Sequence, residues 1–131
     1  MRRALAIGIT GLVLAGCGGG ETAPSSDDPD LGSSTAADAR ACLEAAGFAV
    51  RGGRSDPGDR DAPDVELTFA VGGNQVFVAF YADSRAAADA EAKIRRDARP
   101  DWLVDRHEST TIVWTGSADP ESRASVERCA F

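Results

Sequence analysis

The sequence predicts an α+β domain: a four-stranded antiparallel sheet with helices mainly on one face, in the order α-β-β-α-β-β-α. Three observations predict it. Residues 65–71 and 76–81 are apolar with strand periodicity around a Gly72-Gly73-Asn74 turn, which is a hairpin signature. Residues 103–108 and 110–115 repeat the arrangement more weakly. Segments with helical spacing precede, separate and follow the two pairs.

Thr35 opens the first helix as its N-cap, with Asp38 in the first turn, where the helix dipole favours a negative charge. Ala39, Cys42, Leu43 and Ala46 follow at i, i+3, i+4 and i+7 and form its buried face. Gly47 supplies the left-handed closing position, which frees Phe48 to fold back on Leu43. Arg51 to Asp64 is rich in Gly, Pro, Asp and Arg and reads as an exposed loop. Val65, Leu67, Phe69 and Val71 alternate with Glu66, Thr68 and Ala70, whereas Val76 to Tyr81 is apolar on both faces, so the second strand is interior. Asp83 or Ser84 caps the next helix. Its packing side is Ala87, Ala90, Ile94 and Ala98, its wet side Arg85, Asp89, Lys93, Arg96 and Asp97, and Pro100 stops it. Leu103 to Glu108 is charged, as an edge strand often is, and Thr110 to Thr115 is its partner. Asp119-Pro120 is an N-cap followed by proline at the first helical position, and Val126, Cys129 and Ala130 continue one face of the last helix.

The 131 residues allow one small domain, and 43% hydrophobic with 27% charged residues is globular composition. A formal net charge of −7 repels phosphate backbones, so nucleic acid is excluded as a partner. The N-terminus is more specific. Arg2 and Arg3 precede an apolar run from Ala4 to Ala15, about 18 Å long as a helix against a hydrocarbon core of about 30 Å. This is the h-region of an export signal, too short to anchor a protein by spanning. The residues closing it, Leu14-Ala15-Gly16-Cys17, resemble the lipobox of bacterial prolipoproteins at all four positions. The resemblance covers only the N-terminus. It implies that Cys17 is lipidated, that residues 1–16 are a signal peptide cleaved just before it, and that the protein sits on the extracytoplasmic face of a bacterial membrane through its lipid anchor. Residues 17–34 carry Gly, Ser, Pro, Thr and acids with Leu31 the only large apolar side chain, and read as a flexible acidic tether. Residues 35–131 are then the α+β domain.

With Cys17 taken by lipid, Cys42 and Cys129 remain, and export permits their oxidation to a disulfide. Two buried free thiols are the alternative. His107 is left without the Cys and His partners that a metal framework needs, so no metal or cofactor is expected. No nucleophile elbow, Walker motif or dinucleotide fingerprint occurs, and no catalytic residue is assigned. Asp56, Asp59, Asp61 and Asp64 form a carboxylate cluster whose two readings are a solvated loop and a weak calcium site. Phe69, Phe77, Phe80 and Trp114 fall at core positions of strands. Trp102, just after Pro100, is the least constrained large apolar residue; Tyr81 at the end of the interior strand is next. These two are the candidates for partner contact, with the Asp-rich loop outside the contact surface. The function these readings imply is a non-catalytic binding or interaction module of the cell envelope, taking an envelope protein or a small ligand. The alternatives are a structural or assembly factor of an envelope complex, and an enzyme with an unrecognised site.

Overall fold

The computed structural model describes residues 34–56 and 58–131. The leader, Cys17 and all of the expected tether before Ser34 lie outside the described residues. In chain order the elements are α1 (Ser34–Ala45), β1 (Arg51–Arg54), β2 (Val65–Val71), β3 (Asn74–Phe80), α2 (Ser84–Asp97), β4 (Leu103–His107), β5 (Thr110–Trp114) and α3 (Pro120–Ala130). The five strands form one open sheet, β1-β2-β3-β5-β4, with every neighbouring pair antiparallel.

Among the described residues the sheet thus has five strands and not four, and the order gains a β ahead of the first hairpin. The extra strand, β1, lies in the expected loop. Its sequence, Arg-Gly-Gly-Arg, offers no apolar alternation, and its backbone pairs with β2 in antiparallel register. Gly52 is required there: its φ is +125°, and a Cβ would stand 1.9 Å from the Glu66 carbonyl oxygen. The first helix starts at Ser34, so Thr35 is inside the first turn and Asp38 beyond it. Serine and threonine serve equally as caps, and nothing in the pattern selects between Ser34 and Thr35 as the start of the helix.

Alternation divides the sheet into two unequal faces. Val65, Leu67, Phe69 and Val71 of β2, Val76, Val78 and Phe80 of β3, and Ile112 and Trp114 of β5 share one buried cluster with Ala36, Ala39 and Leu43 of α1 and Val126 and Ala130 of α3. The main core therefore sits under α1 and α3. Gly47, with φ +96°, closes α1: its N–H donates to the Glu44 carbonyl (3.0 Å) and that of Phe48 to the Leu43 carbonyl (3.1 Å). Phe48 then packs against Phe69 in a tilted pair, with ring centroids 5.2 Å apart. Trp114, 1% exposed, donates its indole N–H to Asp105 Oδ2 (3.2 Å), and Arg123 of α3 donates to the same oxygen (2.8 Å). One carboxylate thus satisfies a buried ring and holds α3 to the sheet.

Cys42 and Cys129 form a disulfide that joins α1 to α3, with a Cα–Cα distance of 5.4 Å. Its setting differs from expectation. Cys42 is exposed and Cys129 half-buried, because α1 turns Ala36, Ala39 and Leu43 to the sheet and leaves Cys42 and Ala46 on its flank. The bridge is a lateral tie between neighbouring helices.

Among the described residues α2 is the helix on the opposite face, over β4 and β5. Ala87 is its one buried side chain, above a second, smaller layer of Ala79, Val104 and Val113. Glu91 accepts from Arg106 Nε of β4 (2.6 Å) and from Arg95 (2.8 Å), whose guanidinium also donates to the Val104 carbonyl (2.7 Å). Arg95 thereby occupies a carbonyl of the edge strand β4, which blunts that edge. Phe77, expected in the core, is on this face and only half-buried.

Candidate functional site

β3, α2 and β4 make a crossover that carries the chain over β5, so α2 shields the β4 side of its face and leaves the β1–β2 side open. Between α2 and the floor provided by β2 runs a groove of ≈ 660 Å³. One flank of the helix lines it from Ala86 to Ala98, about 18 Å at ~1.5 Å per residue. Ala90, Ile94 and Ala98, expected to pack on the sheet with Ala87, are half-buried along this wall instead. The apolar stripe of α2 is wider than the contact the sheet offers, and the surplus faces the groove.

The floor has a regular construction. Register aligns Gly53, Glu66, Ala79, Thr111 and Arg106 in one cross-strand row through all five strands. Glu66 is flanked across the strands by Gly53 and Ala79, the smallest of side chains. Half burial pushes its pKa above the ordinary 4.5. No cation offsets that cost: Arg106 and Arg95 are engaged by Glu91, and among the described residues no basic side chain pairs with Glu66. Tyr81 stands beside it. Burial raises the phenol pKa, and the charge of Glu66 raises it further. The Thr111 hydroxyl is turned toward the phenol and counters part of this, but the two do not reach hydrogen-bond geometry, so that wholly buried hydroxyl has no partner.

Tyr81 and Trp102, the two sequence candidates, line this one groove, at opposite ends of it. Tyr81 follows β3 directly and donates its N–H to the Ser109 carbonyl (2.9 Å) at the β4–β5 turn. Trp102 precedes Leu103, which pairs with Trp114 and through it with Val76, so it enters at the far end of β3. From the row of Glu66 to the level of Trp102 is four strand residues, about 13 Å at ~3.3 Å each. Trp102 is half-buried and takes no part in the main core cluster.

The Asp-rich loop is not separate from this surface. Ser55 N–H donates to the Asp64 carbonyl (3.1 Å) and Asp64 N–H to the Phe80 carbonyl (2.8 Å), which folds the loop over the Tyr81 end and puts Arg60 and Asp61 on the groove wall. Asp56 and Asp59 are spent locally, accepting from the N–H groups of Gly58 and Asp61 (3.0 Å each). Among the described residues no group of three or more His, Cys, Asp or Glu side chains is arranged to hold a metal ion. His107 is exposed on β4, its ring 5.4 Å from that of Phe131, away from the groove.

No protein-family model matches the chain, and no curated protein or solved structure matches it with significance.

Glu66 is the functional candidate that the sequence reading passed over. It was one of three residues alternating outward in β2, with nothing to single it out until β1 sets Gly53 at its side. Among the described residues no helix is long and apolar enough to cross a membrane.

Proposed function

We propose that this chain is an extracytoplasmic lipoprotein of the bacterial envelope whose domain is a non-catalytic binding module, and that the groove between α2 and β2 holds a small ligand. The observation that carries the reading is the groove itself: its ≈ 660 Å³ falls within the ~300–1,000 Å³ usual for small-molecule sites, and an apolar line of Ala86, Ala90, Ile94, Ala98 and Trp102 runs through a lining whose other members are Tyr81 and charged side chains. The anchor rests on Leu14-Ala15-Gly16-Cys17 and the apolar run before it. An attached domain that presents an open slot is suited to retaining a ligand near the membrane surface.

Each half has its own test. Fatty-acid label supplied to cells expressing the chain should enter the wild-type protein and not Cys17→Ser; label that survives the substitution removes the anchor. Fragment mapping by amide chemical shifts should cluster perturbations at Glu66, Tyr81, Ile94 and Trp102. Perturbations confined to the α1–α3 face would refute the groove as the site.

A further inference from the structure

We infer that the groove takes an elongated organic cation, with an alkylammonium head against Glu66 and Tyr81 and its chain lying along Ala90, Ile94 and Ala98 toward Trp102. The inference rests on the reading of the groove as a ligand site and adds the chemistry of the ligand. Glu66 is the strand carboxylate that lines the groove, half-buried, set between Gly53 and Ala79, and without a cationic partner among the described residues. A ligand cation would supply the counter-charge that the protein itself withholds. Tyr81, which lines the groove close enough to feel the charge of Glu66, is an aromatic ring of the kind that attracts ammonium groups.

Away from that head an apolar line continues along the slot, between the charged residues of the same helix flank. Ala90, Ile94 and Ala98 recur along one helix flank, and Trp102 closes the far end about 13 Å from the Glu66 row, at ~3.3 Å per strand residue. The groove's own cations, Arg60, Lys93 and Arg96, are exposed and stand among Asp61, Asp89 and Asp97, so none converts the floor into an anion site. A long, thin, singly charged ligand fits this division better than a compact or polyanionic one.

Three probes share one chain and differ only in the head: n-octylammonium, 1-octanol and n-octanoate. Calorimetric titration uses the full chain carrying Cys17→Ser, so that no acyl group competes for the groove. Octylammonium should bind at least tenfold more tightly than octanol, and octanoate more weakly than either. Glu66→Gln should bring octylammonium down to the affinity of octanol and leave octanol unchanged, with Glu66→Ala as a second variant and near-ultraviolet dichroism reporting the fold. Equal affinities for the three, a preference for octanoate, or indifference of octylammonium to both substitutions overturns the cation assignment, while the groove reading survives if Trp102→Ala still weakens binding. No binding of any of the three overturns both.

Discussion

Glu66 and Glu91 carry the same side chain into opposite electrostatic settings, and the difference is readable in the pH dependence of stability. Burial raises the folded-state pKa of Glu66, so its contribution to stability is fully present below the ordinary 4.5 and is lost as pH rises through the raised value. Hydrogen bonds from Arg106 and Arg95 lower that of Glu91, so its contribution is present above 4.5 and is lost as pH falls through the lowered value. Denaturant melts at pH 7 should therefore show Glu66→Gln more stable than wild type and Glu91→Gln less stable, the latter by under about 1 kcal/mol because the pair is solvent-screened. Both differences should shrink in acid, the first on passing below 4.5 and the second at lower pH still. A neutral-pH loss of stability in Glu66→Gln would mean that the carboxylate has a partner in the fold.

At the scale of elements, the caps and the strands with apolar alternation were legible. Asp83 accepts from the Ala86 N–H (2.8 Å) and Asp119 from that of Ser122 (2.9 Å), with Pro120 at the start of α3, as their chemistry requires. β2, β3 and β5 followed from periodicity, and β4 from its charged, edge-like composition. β1 was not legible. Strand patterning is a record of side-chain burial, and Arg-Gly-Gly-Arg buries none; only the register with β2 makes it a strand. Its dependence on glycine is testable. Gly52→Ala should destabilise the domain by roughly 1–3 kcal/mol, since a Cβ meets backbone and not a movable side chain. An unchanged denaturation midpoint would show that β1 detaches without consequence. The stripe of α2 was misread for a related reason: helical spacing says which residues share a flank, and Ala90, Ile94 and Ala98 do. It does not say whether a sheet or an open groove lies opposite.

For the whole molecule, the unequal faces separate the stabilising core from the proposed binding groove. α1 and α3 close the main core and are tied by Cys42–Cys129 across a sequence separation of 87. Closing so long a loop restrains the unfolded chain by roughly 4–5 kcal/mol on the entropy model, an upper estimate. The double variant Cys42→Ser/Cys129→Ser should lose stability on that order by denaturant titration, and a loss under about 1 kcal/mol would mean that packing alone holds the two helices. That the two cysteines meet followed from their count and from helices sharing one face. That Cys42 is exposed did not, because the face α1 presents depends on how it rotates against α3. Likewise the aromatic pair of the groove could be named from Trp102 and Tyr81, but its floor could not: Glu66 acquires its position only when β1, β2 and β3 are aligned in register.

The claim that the open side of the α2 face is a ligand site, separable from the core on the other face, is tested most directly by one paired measurement on Trp102→Ala: its affinity for the fragments that perturb the groove, and its melting temperature. Trp102 is outside the main core cluster, so the substitution should weaken binding by roughly 2 kcal/mol or more and leave the melting temperature nearly unchanged. A domain that melts well below wild type, with affinity unaltered in the fraction still folded, would make Trp102 a packing residue and contradict the assignment of the groove.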